Sequence, residues 1–226
     1  MIDTIRHLMD RQFVEIQQED ATVYFAGPTS TDDVAALTDV AGVAAAEPAL
    51  TLPVSVSADG DHYETALMVL PDDTTMHRFL SVDGEWIPLP SEGLVLGKAT
   101  ESLLDIQIGD TVDVILSDGV AVEVPVAAFV DEPLGTMGYI ARSAAERLTG
   151  TPLPATSALI SYDAGGDSAV LRNTVTELPQ VAAFEDAKVI YDMMQRYMVL
   201  FYAFVGVMLV FGGAMAARFR VSINAG

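Results

Sequence analysis

Cysteine is absent from this sequence and lysine is nearly absent, and each shortage excludes a class of structure or partner. Without cysteine there is no disulfide framework and no thiolate metal site, so the fold must depend on its hydrophobic core. Hydrophobic residues make up 51% of the chain, which is enough to build one. The 32 acidic residues outnumber 11 lysines and arginines, for a net charge of −21. Such a chain repels polyanions, so nucleic acid is not expected as a partner.

Recognisable catalytic motifs are also missing: the sequence contains no nucleophile elbow, P-loop or H-E-x-x-H. Two acidic segments beside a histidine could be imagined as metal sites, but their spacing matches no known ligand frame and favours solvated loops. These segments are Asp72, Asp73 and His77, and Asp59, Asp61 and His62. Trp86 is interpreted as a packed residue at a strand edge. No enzyme activity, cofactor or metal is predicted.

One long hydrophobic run stands near the carboxyl end. From Tyr197 to Ala217 there are 21 residues without a charge, enough to cross a hydrocarbon core of about 30 Å as a helix. A buried core helix is the alternative, but such helices rarely run so long or end in a basic pair like Arg218 and Arg220. The sequence predicts a transmembrane helix with an outer extension over residues 191–220.

The flanks of this run predict its orientation and its packing. Tyr197 and Tyr202 suit one membrane interface, whereas the two arginines mark the other end as cytoplasmic by the positive-inside rule. Residues 1–190 are then extracytoplasmic in the plasma membrane, and residues 221–226 form a cytoplasmic stub. The glycines of the run would allow a neighbouring helix to approach closely. They are Gly206, Gly212 and Gly213.

The amino end reads as an amphipathic helix over residues 1–20. Its apolar residues are spaced for one helical face: Ile2, Ile5, Leu8, Phe13 and Ile16. It contains no uninterrupted apolar stretch that could serve as an export signal. We therefore expect it to continue from a membrane helix that precedes residue 1.

Two segments of the remaining chain repeat one pattern. Residues 21–50 and 151–190 each hold a β-rich run, a capped helix and a second strand, "VAAAEPA" from Val43 and "VAAFEDA" from Val181. Chance similarity of alanine-rich segments is the alternative. Residues 51–150 are rich in short strands and turns, as in a small barrel or sandwich. The predicted fold class is α+β: two split, ferredoxin-like β-α-β units flank a β-rich insert, and one C-terminal transmembrane helix follows.

The order of several sequence segments resembles one transporter family. "DRQF", "VAGVAAAEPAL", "GLVLGKATESLLDIQIGDTVDV", "GYIARSAAERLTG" and "LPQVAAFEDA" precede the hydrophobic run. This order resembles the extracytoplasmic core domain and second membrane helix of FtsX-like ABC transporter permeases of the MacB and LolC type. The family's Arg- and Glu-rich coupling segment has no counterpart here, since the sequence ends at "FRVSINAG".

The resemblance implies a non-catalytic membrane subunit that works by mechanotransmission. A cytoplasmic ABC ATPase on a separate chain would drive the membrane helices, and the outer domain would move or release a lipid-linked or amphipathic substrate. A second permease copy or paralogue is the other implied partner. Two alternatives stay open: a membrane-tethered regulator or sensor that controls an outer partner protein, and a membrane-anchored hydrolase that uses acidic residues.

The charge pattern generates a first prediction. Concentrated salt screens the self-repulsion of an acidic chain, so we expect a halophilic protein whose melting temperature rises between low and molar KCl. Circular dichroism at matched pH measures this. A melting temperature that stays constant or falls over the same range would contradict a salt-adapted surface.

Overall fold

The computed structural model describes residues 2–133, 137–164 and 168–223, with the backbone alone described for residues 2–4 and 210–223. The chain divides into two compact units, Met1–Ala187 and Lys188–Gly226. The first unit contains every strand that the structure describes, and the second consists of the greater part of one long helix.

The helices, in chain order, are α1 (Ile2–Asp10), α2 (Thr31–Ala35), α3 (Ala99–Leu104), α4 (Arg142–Thr149), α5 (Ser168–Thr176) and α6 (Ala187–Ile223). The strands are β1 (Ala21–Thr29), β2 (Val43–Ala58), β3 (Asp61–Leu70), β4 (Phe79–Leu80), β5 (Trp86–Ile87), β6 (Leu94–Gly97), β7 (Thr111–Leu116), β8 (Ala121–Val130), β9 (Gly138–Ala141), β10 (Ala155–Tyr162) and β11 (Val181–Asp186). A π-helical segment, Arg11–Ile16, follows α1, and a 3-10 turn, Ala36–Asp39, follows α2.

Four strands form a ferredoxin-like sheet in the order β11-β1-β10-β2, and every neighbouring pair in it is antiparallel. The repeated strand-helix-strand pattern of the sequence is present as β1-α2-β2 and β10-α5-β11. Ser30 begins α2 as its N-cap, because its hydroxyl accepts a hydrogen bond from the backbone N–H of Asp33. Local capping and strand pairing thus agree in this part of the chain.

The core of this sheet follows from alternation along its strands. Ala21, Val23 and Phe25 are buried on one face of β1, since successive side chains of a strand point to opposite faces. Val34 of α2 and Leu171 of α5 belong to the same buried cluster. Both helices therefore cover one face of the sheet.

The remaining strands close on themselves. From Leu50 onward β2 pairs with β3, and the series continues through β9, β6, β8 and β7. β7 then pairs with Val54–Ser57 of β2, which closes a six-stranded ring. Closure leaves no unpaired strand edge where the ring is complete. The β-rich insert is therefore a small barrel in mixed parallel and antiparallel pairing.

Valine fills much of the barrel interior. Val54 and Val56 of β2 and Val112 and Val114 of β7 are all buried, and they alternate with outward polar residues. β-branched side chains suit this position because they pack well on a pleated surface. The alternation "VDV" in β7 is thus a direct sequence signal for the inward and outward faces.

The amino-terminal helix departs from its predicted face. Of the residues predicted to share one face, Ile16 is buried, whereas Ile5 and Leu8 are 38% and 37% exposed. Met9 and Gln12, which lie outside that predicted face, are buried as well. Arg11–Ile16 is wound as a π-helix, which adds about one residue per turn and rotates Phe13 and Ile16 relative to the face of α1.

Helix α6 runs through the segment predicted to cross the membrane. Among the residues that the structure describes, no helix is both long enough and apolar enough to span a bilayer. The transmembrane helix predicted over residues 191–220 is therefore not shown by the described residues. The later part of that hydrophobic run, from residue 210, lies where side chains are not described.

Gly93 provides a test of the barrel's packing. Its φ is +80°, and an added Cβ would meet the carbonyl oxygen of Pro125 at 2.7 Å and the Cβ of Ala127 at 2.9 Å. Gly119 has φ +84° with open space around the same position. We expect Gly93→Ala to lower the free energy of unfolding by about 3 kcal/mol or more, and Gly119→Ala by only about 1 kcal/mol.

Urea unfolding of both variants measures the difference. The glycines share the same backbone strain, so the excess loss at Gly93 reports the close approach between β6 and β8. Equal losses at the two positions would contradict that packing.

Candidate functional site

The residues just before β1 meet two separate polar clusters. Glu19 lies near His77 and Tyr139 of the barrel, with Tyr24 and Glu47 of the sheet also close, whereas the next residue, Asp20, is hydrogen-bonded to the ferredoxin-like sheet. We call the first cluster the barrel-side joint; it consists of Glu19, His77, Glu132 and Tyr139. The second is the sheet-side joint, formed by Asp20, Tyr162, Asp186 and Ala187.

The barrel-side joint is a buried group of ionisable and aromatic side chains. His77 Nε2 lies 3.2 Å from Glu132 Oε1, and these two side chains are 6% and 3% exposed. The Tyr139 hydroxyl donates to Glu132 Oε2 at 2.7 Å. The His77 ring also packs against Tyr139 and Phe79, with centroids 4.8 and 5.0 Å away. The Glu132 carboxylate thus contacts both the His77 imidazole and the Tyr139 phenol.

Backbone hydrogen bonds bring Glu19 to this cluster. Gln18 N–H donates to the carbonyl of Met76 at 3.0 Å, and Arg78 N–H donates to the carbonyl of Ile16 at 2.9 Å. The segment before β1 therefore runs beside the residues that carry His77. A solvated ion pair between Arg11 Nη1 and Asp131 Oδ2, 3.6 Å apart, lies on the same side of the barrel.

Burial dominates the electrostatics of the joint. It raises the pKa of Glu19 to about 7, and the charge of Glu47 adds to the rise, while backbone hydrogen bonds at Glu19 and Gln18 and the charge of His77 oppose it. Glu19 Oε2 is inaccessible and has no hydrogen-bond partner among the described residues. Burial, followed by the Glu132 charge, also raises the pKa of Tyr139 well above its ordinary value. The phenol therefore remains a donor at any physiological pH.

The sheet-side joint ties the start of β1 to the end of β11. Ala187 N–H donates to the Asp20 carbonyl at 2.9 Å, and Tyr162 N–H donates to Asp20 Oδ2 at 2.7 Å. The Tyr162 hydroxyl donates to Asp186 Oδ2 at 2.9 Å, and Asp186 is buried. Burial and this carboxylate raise the pKa of Tyr162. The chain thus enters the sheet at Asp20 and leaves it at Ala187, and these two residues are hydrogen-bonded to each other.

The structure places the two candidate metal-binding segments in different surroundings. His77 is buried in the barrel-side joint, so its interpretation as a solvated loop residue is wrong. Asp72 caps α4 by accepting from the Ser143 N–H at 3.0 Å, and it does not join His77. By contrast, Asp59 lies in the exposed turn between β2 and β3, and Asp61 and His62 are the exposed first residues of β3.

Within the residues that the structure describes, no group of three or more His, Asp or Glu side chains could hold a metal ion. Trp86 lies in the edge strand β5 as predicted, but it is 40% exposed, and the Arg78 guanidinium stacks 3.9 Å from its ring centre.

Sequence reasoning missed both joints. His77 and Glu132 are 55 positions apart, and Asp20 and Tyr162 are 142 apart, so no local motif connects them. The only available signal was a single histidine in a stretch that also contains Met76 and Phe79, which favours burial over solvation.

The residues predicted to hold the membrane helix all fall in α6. Tyr197 is 64% exposed, Tyr202 is partly exposed, and a Cβ at Gly206 would meet nothing within 4 Å. Gly212, Gly213, Arg218 and Arg220 lie where the structure describes no side chains.

Comparison with known proteins identifies the fold. No protein-family model and no curated protein matches the sequence. Among solved structures, the periplasmic region of MacB from Actinobacillus actinomycetemcomitans matches with a TM-score of 0.56 and 12% identity, over 83% of this chain and 97% of that one. The extracellular domain of the noncanonical ABC-type transporter YknZ from Gram-positive bacteria matches with a TM-score of 0.50 and 10% identity. That match covers 74% of this chain and 97% of YknZ's domain.

At 10–12% identity, these similarities define the fold. The chain has the mixed α/β fold, with one large mixed sheet, of an FtsX/MacB-like permease core domain. The predicted family resemblance is confirmed at the level of the fold.

The sheet-side joint generates a mutational prediction with an internal control. Tyr162 and Tyr24 both bond a carboxylate of β11, but Tyr162 contacts the buried Asp186 and Tyr24 contacts Glu185 on the open face. We expect Tyr162→Phe to cost about 1–2 kcal/mol, because a buried carboxylate loses a donor. Tyr24→Phe should cost less than about 0.5 kcal/mol.

Urea unfolding at neutral pH distinguishes the two variants. A loss for Tyr24→Phe as large as that for Tyr162→Phe would show that burial of Asp186 is not what makes the hydrogen bond important.

Proposed function

We propose that this chain is the extracytoplasmic core of an ABC transporter permease subunit and transmits movement between a cytoplasmic ATPase and an outer substrate. The observation that supports this most directly is the sheet-side joint. It places the two ends of the outer domain, Asp20 and Ala187, in a direct hydrogen bond. A domain held at two adjacent points can be moved as one body by the helices attached there. The similarity to MacB and YknZ supports the same role.

The joints provide a physical route for such movement. A shift of residues 17–20 acts on the barrel through Gln18 and Glu19 and on the sheet through Asp20. β2 continues from the sheet into the barrel without a break, so the two parts share a backbone. Packed protein interiors have low compressibility and pass strain onward rather than absorbing it.

Membrane anchorage by α6 is the second part of the proposal. Its described side chains include a group of large hydrophobic residues that are more than half exposed, and such groups mark contact with a partner or a membrane. They are Tyr197, Val199, Leu200, Phe201, Phe204, Val207, Met208 and Leu209. With Arg218 and Arg220 placed in the cytoplasm, residues 1–190 lie outside. Gly206, Gly212 and Gly213 would then face neighbouring membrane helices.

The proposed partners follow from this arrangement. An ABC ATPase supplies the ATP hydrolysis, and a second permease copy or paralogue completes the membrane part. The substrate class is lipid-linked or amphipathic, and the outer domain contributes contact and movement without covalent chemistry.

Affinity capture of the full-length natural protein from its own membranes tests the proposal. A stoichiometric ABC ATPase among the co-purifying proteins is the expected result. Recovery of an outer-side protein without any ATPase would overturn it and establish a membrane-tethered regulator with the same fold. Resistance of the protein to extraction at alkaline pH separately tests anchorage by α6.

The helical connection into α6 generates a further prediction. In the natural complex, a flexible Gly/Ser insertion after Asp192 should break the continuity of α6, which begins directly after β11. Hydrogen exchange of the outer domain should respond to ATP and vanadate in the unmodified protein but not in this variant, although ATP is still hydrolysed.

A matched insertion between Asp59 and Gly60, at the exposed turn between β2 and β3, serves as the control and should keep the response. If the variant with the insertion after Asp192 also keeps it, then α6 does not transmit the movement.

A further inference from the structure

The barrel-side joint holds a carboxyl group whose surroundings favour its neutral form. Glu19 Oε2 is inaccessible and has no hydrogen-bond partner among the described residues. An unpartnered oxygen costs far more to bury as a carboxylate than as a neutral acid. The attachment of Glu19 to the barrel therefore depends on whether it carries a proton.

Four titratable side chains interact electrostatically with Glu19. These are Glu47 on β2, Tyr24 on β1, Tyr139 on β9 and His77 in the loop before β4. Glu47 repels a second negative charge, and both phenols are neutral at physiological pH. Backbone hydrogen bonds at Glu19 and Gln18 and the charge of His77 favour the ionised form, but burial outweighs them. His77 Nε2 already lies 3.2 Å from Glu132 Oε1, which limits how far His77 can stabilise ionised Glu19.

Glu19 also lies where a change of charge has a mechanical effect. The backbone bonds from Gln18 to Met76 and from Arg78 to Ile16 bind the segment before β1 to the barrel, and Glu19 follows directly. We propose that the barrel-side joint is a proton-dependent lock, in which neutral Glu19 holds residues 11–19 on the barrel and its ionisation loosens them.

The direction of the pH dependence follows from the two states. Burial raises the pKa of Glu19 to about 7 when the segment is attached, and release into water returns it toward 4.5. The attached state therefore binds more protons between these values, so attachment weakens as the pH rises through that window and is constant above it. Between pH 5.5 and 8.5 the attachment constant should fall roughly 30-fold.

Hydrogen exchange of the full chain tests the lock, with rates corrected for the intrinsic pH dependence of exchange. Protection of the Gln18 and Arg78 amides should fall by roughly 30-fold from pH 5.5 to 8.5. Glu19→Gln should give high protection at both pH values. Glu15→Gln, an exposed change in the same segment, should leave the pH dependence unaltered.

Two further measurements separate Glu19 from His77. In His77→Gln the pH dependence should persist and move upward, because the charge of His77 lowers the pKa of Glu19. A carbon-13 NMR titration of the unmodified protein should show Glu19 titrating near 7, which requires no variant to fold. Titration below 5, or equal pH dependence in Glu19→Gln and the unmodified protein, would overturn the proposal.

Discussion

Strand β2 is the element on which the rest of the structure depends. Its first half pairs with β10 in the ferredoxin-like sheet, and its second half pairs with β3 and closes the barrel through β7. β10 pairs with one edge of β2 as far as Ala49, and β7 pairs with the same edge from Val54 onward. β3 occupies the opposite edge. The sheet and the barrel are therefore two parts of one hydrogen-bonded system. Neither part can shift greatly unless β2 bends.

This shared strand explains why the two joints belong together. The chain reaches the sheet through consecutive residues, and successive side chains of an extended segment point in opposite directions. Glu19 can therefore contact the barrel while Asp20 bonds to Tyr162 in the sheet. A segment of two residues is thus fixed to both parts that β2 connects. If the proposed membrane attachment is correct, movement at this point reaches the whole outer domain.

Local patterns predicted much of the fold because its strands are short and regular. The N-cap at Ser30 and the alternating burial of the β7 valines each depend on residues that are close together in the sequence, so local patterns predict them. The π-helical winding of Arg11–Ile16 was missed because such winding leaves no clear sequence signal. The joints were missed for a different reason: they connect residues that only the closed barrel and the antiparallel sheet bring together. Barrel closure itself depends on a pairing between β2 and β7, which no local pattern encodes.

The two joints differ in how they respond to conditions, and the difference follows from their chemistry. The sheet-side joint depends on backbone N–H donors and a phenol whose pKa is raised, so its bonds persist across the physiological pH range. The barrel-side joint instead places a carboxyl beside a second acid and a histidine. In a chain with net charge −21, excess negative charge at a buried position is opposed by the surrounding surface as well as by lost hydration. Salt screens the first effect but not the second. The sheet-side attachment thus stays intact across the physiological pH range, whereas the proposed barrel-side attachment responds to protons even in concentrated salt.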